Sequence, residues 1–174
     1  MTSVRLLALG LAALAAGCAA RMPPSFAHAL VGRPAPPIAE RALGGQDVAV
    51  PGGFRSRVFV VDFWASWCES CPESMRALEA LWERYRGDGL RVVGVAADED
   101  ARVAADAARR FGATFPVVLD DYQQLVSRFR VARIPLSFVL DANGTVRWVG
   151  RDVDELAEAV RAVLAEPSAE TEVF

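Results

Sequence analysis

Cys68 and Cys71 are separated by two residues and follow an apolar run over residues 58–63. Two thiols at that spacing can close a small disulfide. A strand-to-helix junction would set one sulfur at a helix N-terminus, where partial positive charge and unsatisfied N–H groups favour thiolate over thiol. A thiolate attacks disulfides, so the spacing points to electron exchange with another disulfide. A structural staple is the weaker reading. On chain-entropy grounds so short a loop contributes roughly 2 kcal/mol, against about 3 for a 15-residue loop. Cys68 comes first, at the helix start and nearest solvent, and is the expected nucleophile; Cys71 should then attack Cys68 to release the partner. Glu69 beside Cys68 opposes thiolate formation and, with Ser70, tunes the redox poise. A reductant follows, with a potential nearer that of reducing dithiols (about −270 mV) than of strong oxidants (about −120 mV).

Other uses of a cysteine pair fit poorly. Zinc needs four ligands, and the chain has neither a second cysteine pair nor a histidine near this one, so no metal is expected. Haem attachment needs His after the second cysteine, where Pro72 stands. Copper chaperoning calls for wider cysteine spacing and a histidine. Asp62 is the second informative residue: a carboxylate within an apolar strand run is costly to bury ionised, so its pKa rises unless it is paired or simply solvated at a strand end. Trp64 reads as packing. Trp67, beside Cys68, should be partly exposed and contribute to a flat apolar docking surface.

The elements that must hold these residues alternate. Residues 39–43 and 46–50 flank Gly44-Gly45 as a weak hairpin. Residues 58–63 and 90–96 read as strands buried on both faces. Between them Met75, Leu78, Leu81, Trp82 and Tyr85 recur at helical spacing before Gly87 and Gly89. Residues 99–111 form an Ala-rich helix with Val103, Ala107 and Phe111 on one face. A strand over 115–119, a short helix carrying Tyr122, Leu125, Val126 and Phe129, and a strand over 136–140 follow. Asp141-Ala142-Asn143-Gly144 has hairpin-turn chemistry and leads to a strand over 145–149. Val153, Leu156, Val160 and Val163 mark a last helix, and 167–174 a flexible tail. The order implies one α/β domain over 38–166: a central mixed sheet with helices on both faces.

Val61-Asp62-Phe63-Trp64-Ala65-Ser66-Trp67-Cys68-Glu69-Ser70-Cys71 resembles the active-site stretch of the thioredoxin superfamily. Phe115-Pro116-Val117-Val118-Leu119-Asp120 and Arg133-Ile134-Pro135-Leu136-Ser137-Phe138-Val139-Leu140-Asp141 resemble the added central strand and the cis-proline strand of its TlpA/ResA-like branch. The likeness implies a thioredoxin-like fold with an N-terminal hairpin and an inserted helix-strand unit. It implies that Asp62 exchanges a proton with Cys71, and that Pro135 is cis. It also sets the Ile134 backbone beside the sulfurs, where an extended substrate can pair. Arg133 stands where Gly is common and Leu136 where Thr is. Arg133 is a candidate for stabilising a thiolate or selecting an acidic partner, or else a solvated loop residue. Many members of the branch place Glu three residues after the second cysteine; here that position is Ser74, with Glu73 one residue short.

Arg5, an apolar run over 6–16 and Ala15-Ala16-Gly17-Cys18 read as a signal peptide over residues 1–17, its end resembling the lipobox of bacterial lipoproteins. Cys18 is the expected lipidation site, although Ala15 stands where Leu is usual. The run is too short to span a bilayer, which takes about 20 residues. Residues 18–37, with five prolines, read as an extended tether, and His28 within it as a solvated linker residue. A net charge of −3, with no basic block, gives nucleic-acid binding no support. All 19 basic residues are arginine. The expected protein is a lipid-anchored thiol–disulfide oxidoreductase of the bacterial envelope, facing the periplasm or extracytoplasmic space. It would act on protein disulfides, need no cofactor beyond its own disulfide, and take electrons from a membrane thiol-transport reductase. Cytochrome c maturation is one client pathway the family suggests. The alternatives are a thiol peroxidase, disfavoured by Ala65 where that chemistry wants Thr, and a redox-inert binding module.

Overall fold

The computed structural model describes residues 21–52 and 56–167. The signal segment, Cys18 and the tail from residue 168 lie outside the described residues. In chain order the elements are β1 (Ile38–Arg41), β2 (Asp47–Val50), β3 (Val58–Trp64), α1 (Cys71–Tyr85), β4 (Leu90–Ala96), α2 (Ala101–Phe111), β5 (Val117–Leu119), α3 (Gln124–Arg128), β6 (Leu136–Asp141), β7 (Val146–Gly150) and α4 (Val153–Ala165). The five longer-range strands form one sheet in the order β5-β4-β3-β6-β7. β3 pairs parallel with β4 and antiparallel with β6, so the sheet is mixed.

Every residue of β3 is buried, because the strand is central and both of its faces are covered. Val58, Val60 and Trp64 face a core shared with α1, α2 and α4, including Met75, Leu78, Ala104, Leu156 and Val160. Phe59, Val61 and Phe63 face the opposite core with Ile38, Val48, Leu125 and Phe129. The strand alternation therefore decides which side of the sheet each β3 residue serves. Asp62 falls on the α1 side.

The Ala-rich helix differs in detail from the sequence expectation. It starts at Ala101, where the Asp100 carboxylate accepts the Arg102 N–H at 2.7 Å as the N-cap. Its buried stripe is Ala104, Ala107 and Ala108, while Val103 is exposed. Three alanines at i, i+3 and i+4 let the helix lie close to the core; a β-branched residue on that stripe would hold it off.

The segment read as a free tether is instead bonded to the domain from Pro24 onward. Phe26 N–H donates to Val149 O at 2.8 Å, Gly32 N–H to Val146 O at 2.8 Å, and Val146 N–H to Arg33 O at 2.9 Å. The segment runs antiparallel along β7 and occupies what would be an open sheet edge, which explains why a proline-rich stretch is ordered there. His28 is accordingly half-buried rather than a solvated linker residue: its ring packs edge-on against buried Phe138, centroids 5.1 Å apart.

Candidate active site

β3 ends at Trp64 and α1 begins at Cys71, so the motif residues occupy the strand-to-helix loop at the C-terminal end of the parallel strands. Two backbone bonds tighten this loop, Cys68 N–H to Ala65 O at 3.2 Å and Cys71 N–H to Cys68 O at 3.3 Å. Buried Asp98, just past β4, clamps it from the side: its carboxylate accepts the Ser66 N–H at 3.0 Å and the Ser66 hydroxyl at 2.5 Å. Pro72 occupies the first turn of α1, where its missing N–H costs nothing, and the Ser70 side chain makes no cap. The first-turn N–H groups therefore keep their positive potential for the adjacent sulfur.

Cys68 and Cys71 are joined as a disulfide, with Cα atoms 5.4 Å apart. Cys71 is fully buried and Cys68 is 8% exposed, so Cys68 meets solvent at its rim and Cys71 does not. Cys68 lines an open depression with Trp67, Glu69, Ser70 and Ile134. Trp67 is 70% exposed, an apolar ring left in water next to Cys68. The Ile134–Pro135 peptide is cis, and pairing of Phe63 with Leu136 brings it to the end of β3 next to the motif loop. Arg133 is exposed and does not line the depression.

Asp62 is fully buried, and burial pushes its carboxyl up to about 7, opposed by a hydrogen bond from Ser137. The Ser137 hydroxyl donates to Asp62 Oδ1 at 2.6 Å, while Oδ2 has no partner among the described residues. Asp62 and Ser137 are paired across β3 and β6, on the side of the sheet that α1 and Cys71 cover. The position that holds Glu in many of the branch is buried Ser74, and Glu73 points into solvent. Among the described residues Asp62 is thus the buried carboxylate on the sulfur side whose proton affinity is shifted into the neutral range.

Three contributors were not singled out from the sequence. Ser137 had a faint signal, a lone hydroxyl in an apolar strand run. Asp98 and Arg151 had none, since each acts on a loop distant in sequence. Arg151 donates from Nε to Pro135 O at 2.9 Å and from Nη2 to Arg133 O at 3.3 Å, bracing the cis-proline loop from β7.

The chain is similar to known thiol–disulfide oxidoreductases. A family model described as Redoxin matches residues 30–164. The chain is 31% identical over 119 residues to the thiol-disulfide oxidoreductase ResA of Geobacillus thermodenitrificans, covering 68% of each protein. It is 26% identical over 128 residues to the sporulation thiol-disulfide oxidoreductase A of Bacillus subtilis, covering 71% of this chain and 76% of that one. Among solved structures, a protein described as a thiol:disulfide interchange protein DsbE from Chlorobium tepidum superposes with a TM-score of 0.70 at 30% identity, covering 78% of this chain and 98% of that chain.

Proposed function

We propose that this chain, which belongs to the Redoxin family and is a thiol–disulfide oxidoreductase with a Cys68–Cys71 pair, works as a reductant of protein disulfides in the bacterial envelope. The observation that carries the reading is the asymmetry of the pair. One sulfur meets a solvent-open depression at a helix N-terminus, and the other is enclosed on the side of the sheet that carries a buried carboxylate.

In the reduced protein the Cys68 thiolate attacks one sulfur of a substrate disulfide, forming a mixed disulfide and expelling the other substrate sulfur as a thiolate that takes a proton from water. The Cys71 thiol passes its proton to the Asp62 carboxylate and attacks the Cys68 sulfur. The Cys68–Cys71 bond forms, the mixed disulfide breaks, and the second substrate thiolate leaves. Two electrons move from the protein pair to the substrate. A group whose pKa lies near 7 is matched to accept that proton at neutral pH. Trp67 and the Ile134 backbone supply the docking edge, and Glu69 with Ser70 set the poise.

The signal-like N-terminus with Cys18 supports a lipid-anchored, extracytoplasmic protein. Among the described residues, no helix is long and apolar enough to cross a membrane. An oxidising compartment re-forms the disulfide, so steady reduction needs an electron source, and a membrane thiol-transport reductase fits that need. Apocytochrome c is one candidate client.

The test is catalysed insulin reduction by the purified chain. Wild type should accelerate it and Cys68→Ser should abolish the acceleration, while Cys71→Ser should hold its substrate covalently through Cys68. Equal rates for wild type and Cys68→Ser would reject the reading.

A further inference from the structure

We propose that Arg151 is a positioning residue for the substrate-facing backbone at Ile134, and that the N-terminal segment at Ser25 and Phe26 holds Arg151 in that role. The proposal rests on the reductant reading above and adds to it a determinant of protein-substrate binding. Arg151 follows β7 at the end of the sheet that carries the active site, where Gly150 pairs with Ser137. The two carbonyls it grips, those of Arg133 and Pro135, flank Ile134, the residue that lines the depression with Cys68. A planar guanidinium bonding both carbonyls fixes the backbone on either side of Ile134 while leaving the depression open.

The guanidinium is itself held. It lies over the Phe26 ring, 5.4 Å from the centroid. Phe26 is 44% exposed, so core burial does not explain it; covering Arg151 does. The segment beneath is fastened at successive points. Trp148 Nε1–H donates to Pro24 O at 2.7 Å, Val149 N–H donates to Ser25 Oγ at 2.8 Å, and Phe26 N–H donates to Val149 O at 2.8 Å. A continuous line of contacts runs from residues 24–26 through Arg151 to the edge that would receive an extended partner.

The grip matters for partners that pair with that edge. It does not matter for a small disulfide that reaches Cys68 through the open depression. Steady-state reduction of insulin and of oxidised glutathione by the full chain therefore separates the two. Arg151→Ala is expected to raise the insulin KM about five- to tenfold with kcat within about twofold, while kcat/KM for glutathione falls by less than about twofold. Arg151→Lys, which keeps charge but loses the fork, is expected to fall between. Phe26→Ala, a change at an exposed residue that leaves the core intact, should shift the insulin KM in the same direction by less. Because Phe26 acts through Arg151, the double variant should be no worse than Arg151→Ala alone. An unchanged insulin KM, parallel losses on both substrates, or additive effects of the two substitutions would overturn the proposal. Wild type inactive on both substrates would instead reject the reductant reading on which it stands.

Discussion

Asp62 carries a burial penalty, and the proton affinity that burial gives it is what the proposed release step would use. Its folded pKa of about 7 lies above the ordinary 3.8, so between those values the folded protein binds a proton that the unfolded chain has released. Stability is therefore greatest below the lower value, falls as pH rises toward 7, and levels off above it. The difference between those two values corresponds to roughly 4 kcal/mol. Asp62→Asn removes this dependence. Its urea midpoint should exceed wild type at pH 8 and approach it near pH 4, while the Cys71-dependent release of a trapped substrate slows at neutral pH. Equal midpoints at pH 8 would show that the carboxylate is not desolvated. Ser137→Ala removes the one bond favouring the ionised form. The pH at which substrate release reaches half its maximum should then move upward, and Ser137→Thr should restore it. Of these residues the sequence marked Asp62 and both cysteines, because a charge or a paired thiol in an apolar run stands out. Ser137 gains meaning only from the strand register that sets it opposite Asp62.

The sheet elements place the motif through close packing that leaves little slack. Gly94, on β4 opposite Asp62, is a clear case: a Cβ there would lie 3.0 Å from Trp64 Nε1 and 3.2 Å from the Phe115 ring. Gly94→Ala should destabilise by about 1–3 kcal/mol, read by denaturant midpoint, through displacement of buried aromatic rings. A change below about 0.5 kcal/mol would show that Trp64 has room to shift. The loop clamp behaves differently. Asp98→Ala leaves the Ser66 N–H and hydroxyl without their acceptor and should cost about 1–3 kcal/mol, with slower insulin reduction as Cys68 loses its fixed position. Strand and helix order was readable from periodicity, since buried runs and helical spacing each have a distinct period. The exposed face of α2 was not, because Val103 and the alanines fit a helical stripe equally well until the neighbouring elements choose between them.

At the scale of the whole molecule, the N-terminal segment is part of the folded unit. Removing residues before 36 would strip β7 of its edge partner, take the Pro24 carbonyl from buried Trp148 Nε1 and uncover Phe138. Such a truncation should lower stability by at least about 2 kcal/mol, whereas a free tether could be removed at no cost. Redox equilibration of the intact chain against glutathione should give a midpoint below about −180 mV. A higher value would reverse the assigned direction of electron flow.

By itself the sequence indicated thiol–disulfide exchange and an α/β mixed sheet, and the resemblance of its motifs indicated the family of the fold. Thiol spacing, a charge in an apolar strand and the alternation of periods are local properties, written in consecutive residues. Tertiary structure decided which oxygen of Asp62 the Ser137 hydroxyl bonds, which arginine braces the cis-proline loop, and that residues 24–35 are bound to the sheet. Each of those depends on groups far apart along the chain, whose meeting is set by strand register and edge pairing, and no local pattern records it.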